Sequence, residues 1–86
     1  MAEASCDRVS AAVFAALAGA LGLTADEVAR RRAEGLDRLG LDSHGLMRVL
    51  LEIERVLQLP ALDLADSALE SPATLAAGVA AATRGG

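Results

Sequence analysis

Apolar residues recur at helical spacing in three separate segments of this 86-residue chain. In the first segment they lie four residues apart, at Val9, Val13, Leu17 and Leu21. The other two segments contain the sets Leu46, Leu50, Ile53, Leu57 and Leu75, Val79, Ala82. Each set falls on one face of an α-helix. The pattern predicts helices over about 5–21 and 43–58, and a last helix that begins at Pro72 and ends at Gly85-Gly86.

Composition favours a helical core. The chain is 53% hydrophobic, yet Phe14 is its only aromatic residue. Ala, Leu and Val suit closely packed helices better than a β-sandwich. A chain of this length builds one core, so residues 1–86 are predicted to form a single all-α domain whose ends fray at 1–4 and 84–86. The predicted core is Val9, Val13, Leu17, Leu21, Leu36, Leu39, Leu46, Leu50, Ile53, Leu57, Leu69, Leu75 and Val79.

Local signals indicate where the helices begin and end. Gly22 is placed to end the first helix, and Thr24 with Glu27 has the form of a capping box that opens a short helical turn. Ser71 before Pro72 is typical of a helix start. Pro60 is expected to end the second helix, because a helix disfavours the residue before proline.

The segment between the first two long helices is predicted to be a long loop that runs to about residue 41. Its expected anchors in the core are Leu36, Leu39 and Leu41, and its triplet Arg30-Arg31-Arg32 is expected to be exposed. Either this triplet contacts a partner or it is a solvated run of charge. A short turn over Asp66 to Leu69 completes the predicted architecture, a small four-helix bundle of three longer helices and one short helix.

The charge of the chain argues against nucleic acid as a ligand. The net charge is −4, whereas nucleic-acid binding needs a basic surface. Residues 42–70 hold six acidic residues and two Arg, which gives this segment a net charge of −4. Either this charge favours partners with a basic surface, or the acidic residues simply form a solvated face. All eight basic residues are Arg.

Several classes of site are disfavoured by the sequence. Cys6 is the only cysteine and His44 the only histidine, so neither a disulfide framework nor a zinc site is expected. Residues 9–23 are apolar like a signal-peptide core, but the segment before them lacks a positive n-region. We therefore expect a cytoplasmic, free-standing monomer that does not enter a membrane.

The run Gly40-Leu41-Asp42-Ser43-His44 reads as a polar loop that ends in a helix start. Asp42 and Ser43 are both good N-cap residues, since the side-chain oxygen of either can accept a hydrogen bond from a free N–H group of the first turn. The sequence does not decide between them. Ser43 is either a presented hydroxyl at a helix N-terminus or only a cap.

One face of the following helix mixes apolar and charged residues. Spacings of three and four place six residues away from the core: His44, Met47, Arg48, Leu51, Glu52 and Arg55. The mixture beside a serine predicts a docking surface for a partner. The alternative is that single exposed apolar residues need no explanation.

These residues resemble the attachment site of acyl and peptidyl carrier proteins, whose signature is Gly-x-Asp-Ser-Leu before an amphipathic helix. Gly40, Asp42 and Ser43 match the signature, whereas His44 stands where the family usually has Leu. The resemblance extends to the flanking segments Leu21-Gly22-Leu23, Asp26-Glu27-Val28 and Thr74-Leu75.

The resemblance implies a four-helix fold and a carrier without catalytic activity. A phosphopantetheinyl transferase would attach 4′-phosphopantetheine from coenzyme A to Ser43, with Asp42 in support. The thiol of this arm would hold an acyl or aminoacyl thioester for loading and downstream enzymes. Because Arg48 and Arg55 lie where fatty-acid carriers are more uniformly acidic, the resemblance favours a polyketide, nonribosomal-peptide or other specialised pathway over a housekeeping fatty-acid carrier.

Two other functions are weighed for the same residues. An enzyme using Ser43 and His44 as nucleophile and base is disfavoured, because adjacent helical residues point about 100° apart. A helical interaction module that is never modified would share every surface feature with a carrier. His44, in the place of the usual family Leu, would either change which transferase or downstream enzyme the carrier accepts or be an exposed polar residue without a role.

Overall fold

Four α-helices and one 3-10 helix form the regular structure in the computed structural model, which describes residues 2–59, 62 and 64–85. In chain order these are α1 (Ala2–Leu21), α2 (Ala25–Arg30), α3 (Ser43–Leu57), the 3-10 helix η1 (Asp66–Leu69) and α4 (Pro72–Gly85). No strand occurs in these described ranges. The predicted all-α bundle of three longer helices is therefore confirmed.

α1 is the central helix of the bundle. It packs against α2, α3 and α4, and η1 packs against α4. The inward residues Val13 and Leu17 are fully buried, as are Ile53 of α3 and Leu75 and Val79 of α4. The apolar spacing of each helix thus directs one face of it to a shared aliphatic core.

The core differs in part from the prediction. Six predicted core residues are only partly buried: Leu21, Leu39, Leu46, Leu50, Leu57 and Leu69. The core also includes Val28 and Val49, which the predicted set omits, and Leu41, which is buried as expected of an anchor of the first loop. Val49 belongs to the core because the buried face of α3 is centred on Val49 and Ile53, not on the leucines. The same orientation of α3 leaves Val56 44% exposed.

The predicted first loop contains a helix. The Thr24–Glu27 capping box is confirmed: the Glu27 N–H donates to Thr24 Oγ1 and the Thr24 N–H to Glu27 Oε1, both at 3.1 Å. The helix that it opens continues to Arg30 and buries Val28. Further along, Leu36 N–H donates to Glu70 O at 2.8 Å and Leu41 N–H to Leu36 O at 3.0 Å, which fixes the segment before α3.

The ends of α1 and α3 share one geometry. Gly22 ends α1 as predicted, with φ of 73°, and Leu23 N–H donates to Ala18 O at 3.0 Å. α3 ends in the same way at Gln58, which adopts φ of 57°, with Leu59 N–H donating to Glu54 O at 2.9 Å. Pro60, the predicted cause of this end, lies outside the described residues.

The start of α4 is tied to η1. Ser71 and Thr74 cap each other: Thr74 N–H donates to Ser71 Oγ at 3.3 Å and Ser71 N–H to Thr74 Oγ1 at 2.9 Å. Thr74 Oγ1 also lies 3.1 Å from the carbonyl oxygen of Ala68. The predicted helix start is therefore confirmed. α1 begins at Ala2, earlier than predicted, and fraying of both chain ends stays a prediction.

η1 packs on α4 at a glycine. A Cβ atom added to Gly78 would lie 2.9 Å from Ala68 Cβ, whereas one added to Gly19 of α1 would meet no atom within 4 Å. The absence of a side chain at residue 78 therefore allows the close approach of η1, while Gly19 has no such packing role.

We expect opposite outcomes for the same substitution at these two glycines. Ala is favoured over Gly inside a helix by about 1 kcal/mol, so Gly19→Ala should raise the free energy of unfolding by up to about that amount. Gly78→Ala should give no gain or a loss, because Ala68 must move. Urea unfolding followed by circular dichroism measures both, and equal gains would show that η1 does not pack there.

Candidate functional site

Asp42 is the N-cap of α3. Its backbone is extended, with φ of −92°, and its Oδ1 accepts a hydrogen bond from Gly45 N–H at 2.7 Å. The helix then begins at Ser43. The cap that the sequence left open between two residues thus belongs to Asp42, and the interpretation of Ser43 as only a cap is wrong.

Ser43 presents its hydroxyl to solvent in the first turn of α3. The residue is exposed, and its side chain makes no hydrogen bond to any other described residue. The first turn of a helix has free N–H groups and the positive end of the helix dipole, which favour a nearby anion. A phosphate ester on this hydroxyl would therefore lie in a favourable electrostatic environment.

An open groove of about 440 Å³ lies beside Ser43. Apolar side chains from the first loop, α3 and η1 line it, namely Leu36, Leu41, Leu46 and Leu69, with Asp37, Asp42 and Glu70 among its polar residues. A group attached to Ser43 thus has an apolar surface next to it as well as solvent in front of it.

The six residues predicted to form a docking surface share one exposed face of α3. His44, Met47, Arg48, Leu51, Glu52 and Arg55 are all exposed. Met47 and Leu51, the two large apolar residues, are 63% and 61% exposed. The geometry is that predicted from helical spacing, whereas a role of these residues in binding partners stays a prediction.

Among the described residues, one ion pair lies on this face of α3 and another in the segment between α2 and α3. Arg55 Nη2 lies 2.6 Å from Glu52 Oε2, and its Nε donates to Glu52 Oε1 at 3.2 Å. Arg31 pairs in the same way with Glu34, with both contacts at 3.1 Å. In each pair the arginine hydrogen bonds hold the pKa of the carboxyl group below its usual value. Arg30 and Arg32 are exposed as predicted, and Arg31 is half-buried.

In the described part of the chain, no group of three or more His, Cys, Asp or Glu residues is arranged to hold a metal ion. No helix in it is both long and apolar enough to span a membrane.

Residues 11–79 match the family model described as the phosphopantetheine attachment site. The chain belongs to this family. Its members covalently carry 4′-phosphopantetheine, act as carriers without catalysing a reaction, and work with phosphopantetheinyl transferases and biosynthetic enzymes. The resemblance to acyl and peptidyl carrier proteins is confirmed at the level of the family. No curated protein and no solved structure gives a significant match to the chain.

The structure of this carrier adds a role for Gly45 that the sequence did not reveal. Gly45 N–H bonds to Asp42, and a Cβ atom there would lie 3.0 Å from Leu41 Cδ1 and 3.1 Å from Asp42 Oδ1. Either contact is tighter than usual, so a larger residue would press on the cap. The available signal was a glycine three residues after a potential N-cap, the position whose N–H group the cap binds.

The cap can be tested by two substitutions of Asp42. Asp42→Ala should lower the free energy of unfolding by about 1 kcal/mol, because Gly45 N–H loses its acceptor. Asp42→Asn keeps a side-chain oxygen and should retain most of the stability. Urea unfolding measures the difference, and equal stabilities of the two variants would contradict the assigned cap.

The Glu52–Arg55 pair predicts a specific change in titration. In Arg55→Gln the pKa of Glu52 should rise toward its usual value, because its hydrogen-bond donor and positive neighbour are lost. A lowered pKa stabilises the fold above the unfolded-state pKa, and this contribution is lost as pH falls through the folded-state value. NMR titration of the side-chain carboxyl carbons measures the pKa of Glu52 in both proteins. Glu34, whose partner Arg31 is unchanged, is the internal control, and an unchanged Glu52 would contradict the pair.

Proposed function

We propose that Ser43 is the residue of this carrier protein to which 4′-phosphopantetheine is attached. The observation that carries the proposal is an exposed hydroxyl, without a hydrogen bond to another described residue, at the start of a helix whose cap is a different residue. The oxygen of a capping serine is held against the N–H groups of the first turn, with one lone pair engaged. Ser43 does not have this restraint, because Asp42 makes the capping bond.

The attachment needs Ser43 Oγ as the nucleophile. A bond forms between Oγ and the phosphorus of the phosphopantetheinyl group of coenzyme A. The bond from that phosphorus to the bridging oxygen of the diphosphate breaks, adenosine 3′,5′-bisphosphate leaves, and the hydroxyl proton passes to the transferase or to solvent. The N-terminus of α3 stabilises the resulting phosphodiester. Asp42 supports the reaction by holding the first turn in place through its Oδ1. Its second carboxylate oxygen, Oδ2, is available to bind a cation held by the transferase.

We propose further that the arm holds its cargo as a thioester in a specialised pathway, such as polyketide or nonribosomal-peptide biosynthesis. Two features support this: Arg48 and Arg55 on the exposed face of α3, and His44 in the place of the usual family Leu. The alternative is a housekeeping fatty-acid carrier. Loading the modified protein with malonyl, long-chain acyl and aminoacyl donors distinguishes these pathways by the thioester that forms.

The working environment is proposed on the same basis. We propose a cytoplasmic monomer that meets its transferase, its loading enzyme and its downstream enzymes in turn. His44, Met47, Arg48, Leu51, Glu52 and Arg55 are the proposed contact residues. The exposed Met47 and Leu51 support this, because they offer apolar surface next to Ser43.

Intact-protein mass spectrometry tests the attachment. After incubation with coenzyme A, magnesium and a broad-specificity phosphopantetheinyl transferase, the wild type should gain the mass of one phosphopantetheinyl group. Ser43→Ala should gain nothing. Ser67→Ala, which removes another exposed serine hydroxyl, should be modified like the wild type.

Two results would contradict the proposal. Modification of Ser43→Ala would place the arm on another residue. No modification of the folded wild type by transferases of different classes would favour the unmodified interaction module.

A further inference from the structure

The solvent side of α1 is unusual because it carries no charged residue after Arg8. Residues 9–23 contain no Asp, Glu, Lys or Arg. The exposed residues of α1 in this stretch are Ala11, Ala15, Gly19 and Ala20. An amphipathic helix normally places charged residues on the face that it turns to water. This face therefore resembles a surface that another molecule covers.

A groove of about 550 Å³ runs between this face and α3. Ala15 and Gly19 belong to its α1 wall, and Gly45, Arg48 and Val56 to its α3 wall. The small α1 residues make the groove wide, and the exposed Val56 adds apolar surface at its rim. It opens at Gly45, in the same helical turn as Ser43, so an occupant of the groove would be adjacent to the proposed attachment point.

The charge that remains free in the groove is positive. Glu52, the acidic residue among those that line it, is paired with Arg55. Arg48 is exposed and forms no ion pair with any described residue. Although the chain carries a net charge of −4, this face favours an acidic group on its partner, not the basic one that the charge of residues 42–70 would favour.

We propose that the α1–α3 groove receives an apolar segment of the phosphopantetheinyl transferase, with a carboxylate on that segment paired to Arg48. The proposal rests on the attachment at Ser43 and adds α1 to the contact surface. The free charge of Arg48 selects the carboxylate. The position of the groove, beside Ser43 and next to the face that carries Met47 and Leu51, selects the transferase, which must approach Ser43. Apolar groups on the segment would cover the uncharged wall of α1.

Filling the groove tests the apolar part of the proposal. Ala15 lines the groove, whereas Ala11 is an exposed alanine one turn earlier that does not. With the transferase that modifies the wild type fastest, Ala15→Arg should lower kcat/KM for phosphopantetheinylation by about tenfold. Ala11→Arg, the matched control, should stay within about twofold. Circular dichroism and thermal unfolding verify that both variants fold, and Val56→Gln provides a second variant that removes apolar surface without filling the groove.

Removing the free charge tests the electrostatic part. Arg48→Gln should lower kcat/KM and flatten its decrease with rising salt, because the rate loses a screened attraction. Arg32→Gln removes an exposed arginine that does not line the groove and should leave the salt dependence unchanged. An Arg48→Gln variant that is modified faster than the wild type would show that the transferase presents a basic surface and would overturn this pairing.

The outcomes separate this proposal from the proposed function. Wild-type rates in Ala15→Arg, Val56→Gln and Arg48→Gln would exclude the groove from docking and leave Ser43 as the attachment residue. Absence of modification in the wild type would instead refute the attachment at Ser43, and with it the groove as a site for the transferase.

Discussion

Aliphatic packing against α1 is the constraint on which the rest of the bundle depends. With Phe14 as the only aromatic residue, the core is built from branched aliphatic residues and alanines that interlock only at short distances between helices. Val13 and Leu17 occupy the middle of that arrangement, fully buried, with α3 and α4 packed on the same helix. The orientation of α3, and therefore the face that it turns outward, follows from this packing.

At the N-terminus of α3, adjacent residues divide two tasks. Asp42 satisfies the Gly45 N–H group and fixes where the helix begins, while Ser43 keeps an exposed hydroxyl. Gly45 allows the cap to close, because a side chain there would crowd Leu41 and Asp42. A rigid first turn and an available hydroxyl are thus obtained together, without one residue serving both purposes.

The sequence predicted the features that depend on local spacing and local chemistry. The three long helices, the Thr24–Glu27 capping box, the stop at Gly22 and the start at Ser71-Pro72 follow from the chain itself. The length of α2 does not, since six residues persist as a helix only because Val28 is buried. The rotation of α3, which buries Val49 and exposes Val56, is likewise set by tertiary contacts. The groove between α1 and α3 is also set by tertiary contacts, and the sequence indicates it only through the absence of charged residues from 9–23.

The use of arginine for every basic side chain has a chemical consequence for a carrier. Thioesters are attacked by unprotonated amines, and a lysine side chain near the end of an acyl-loaded arm is such a nucleophile whenever it loses its proton. Guanidinium groups stay protonated, so Arg48 and Arg55 keep positive charge on the exposed face of α3 without offering a reactive nitrogen. No side chain in this protein contains an aliphatic amine. The exposed face of α3 therefore has no cation that could capture an acyl group from the arm as an amide, and a loaded arm would not lose its acyl group to a lysine of this chain.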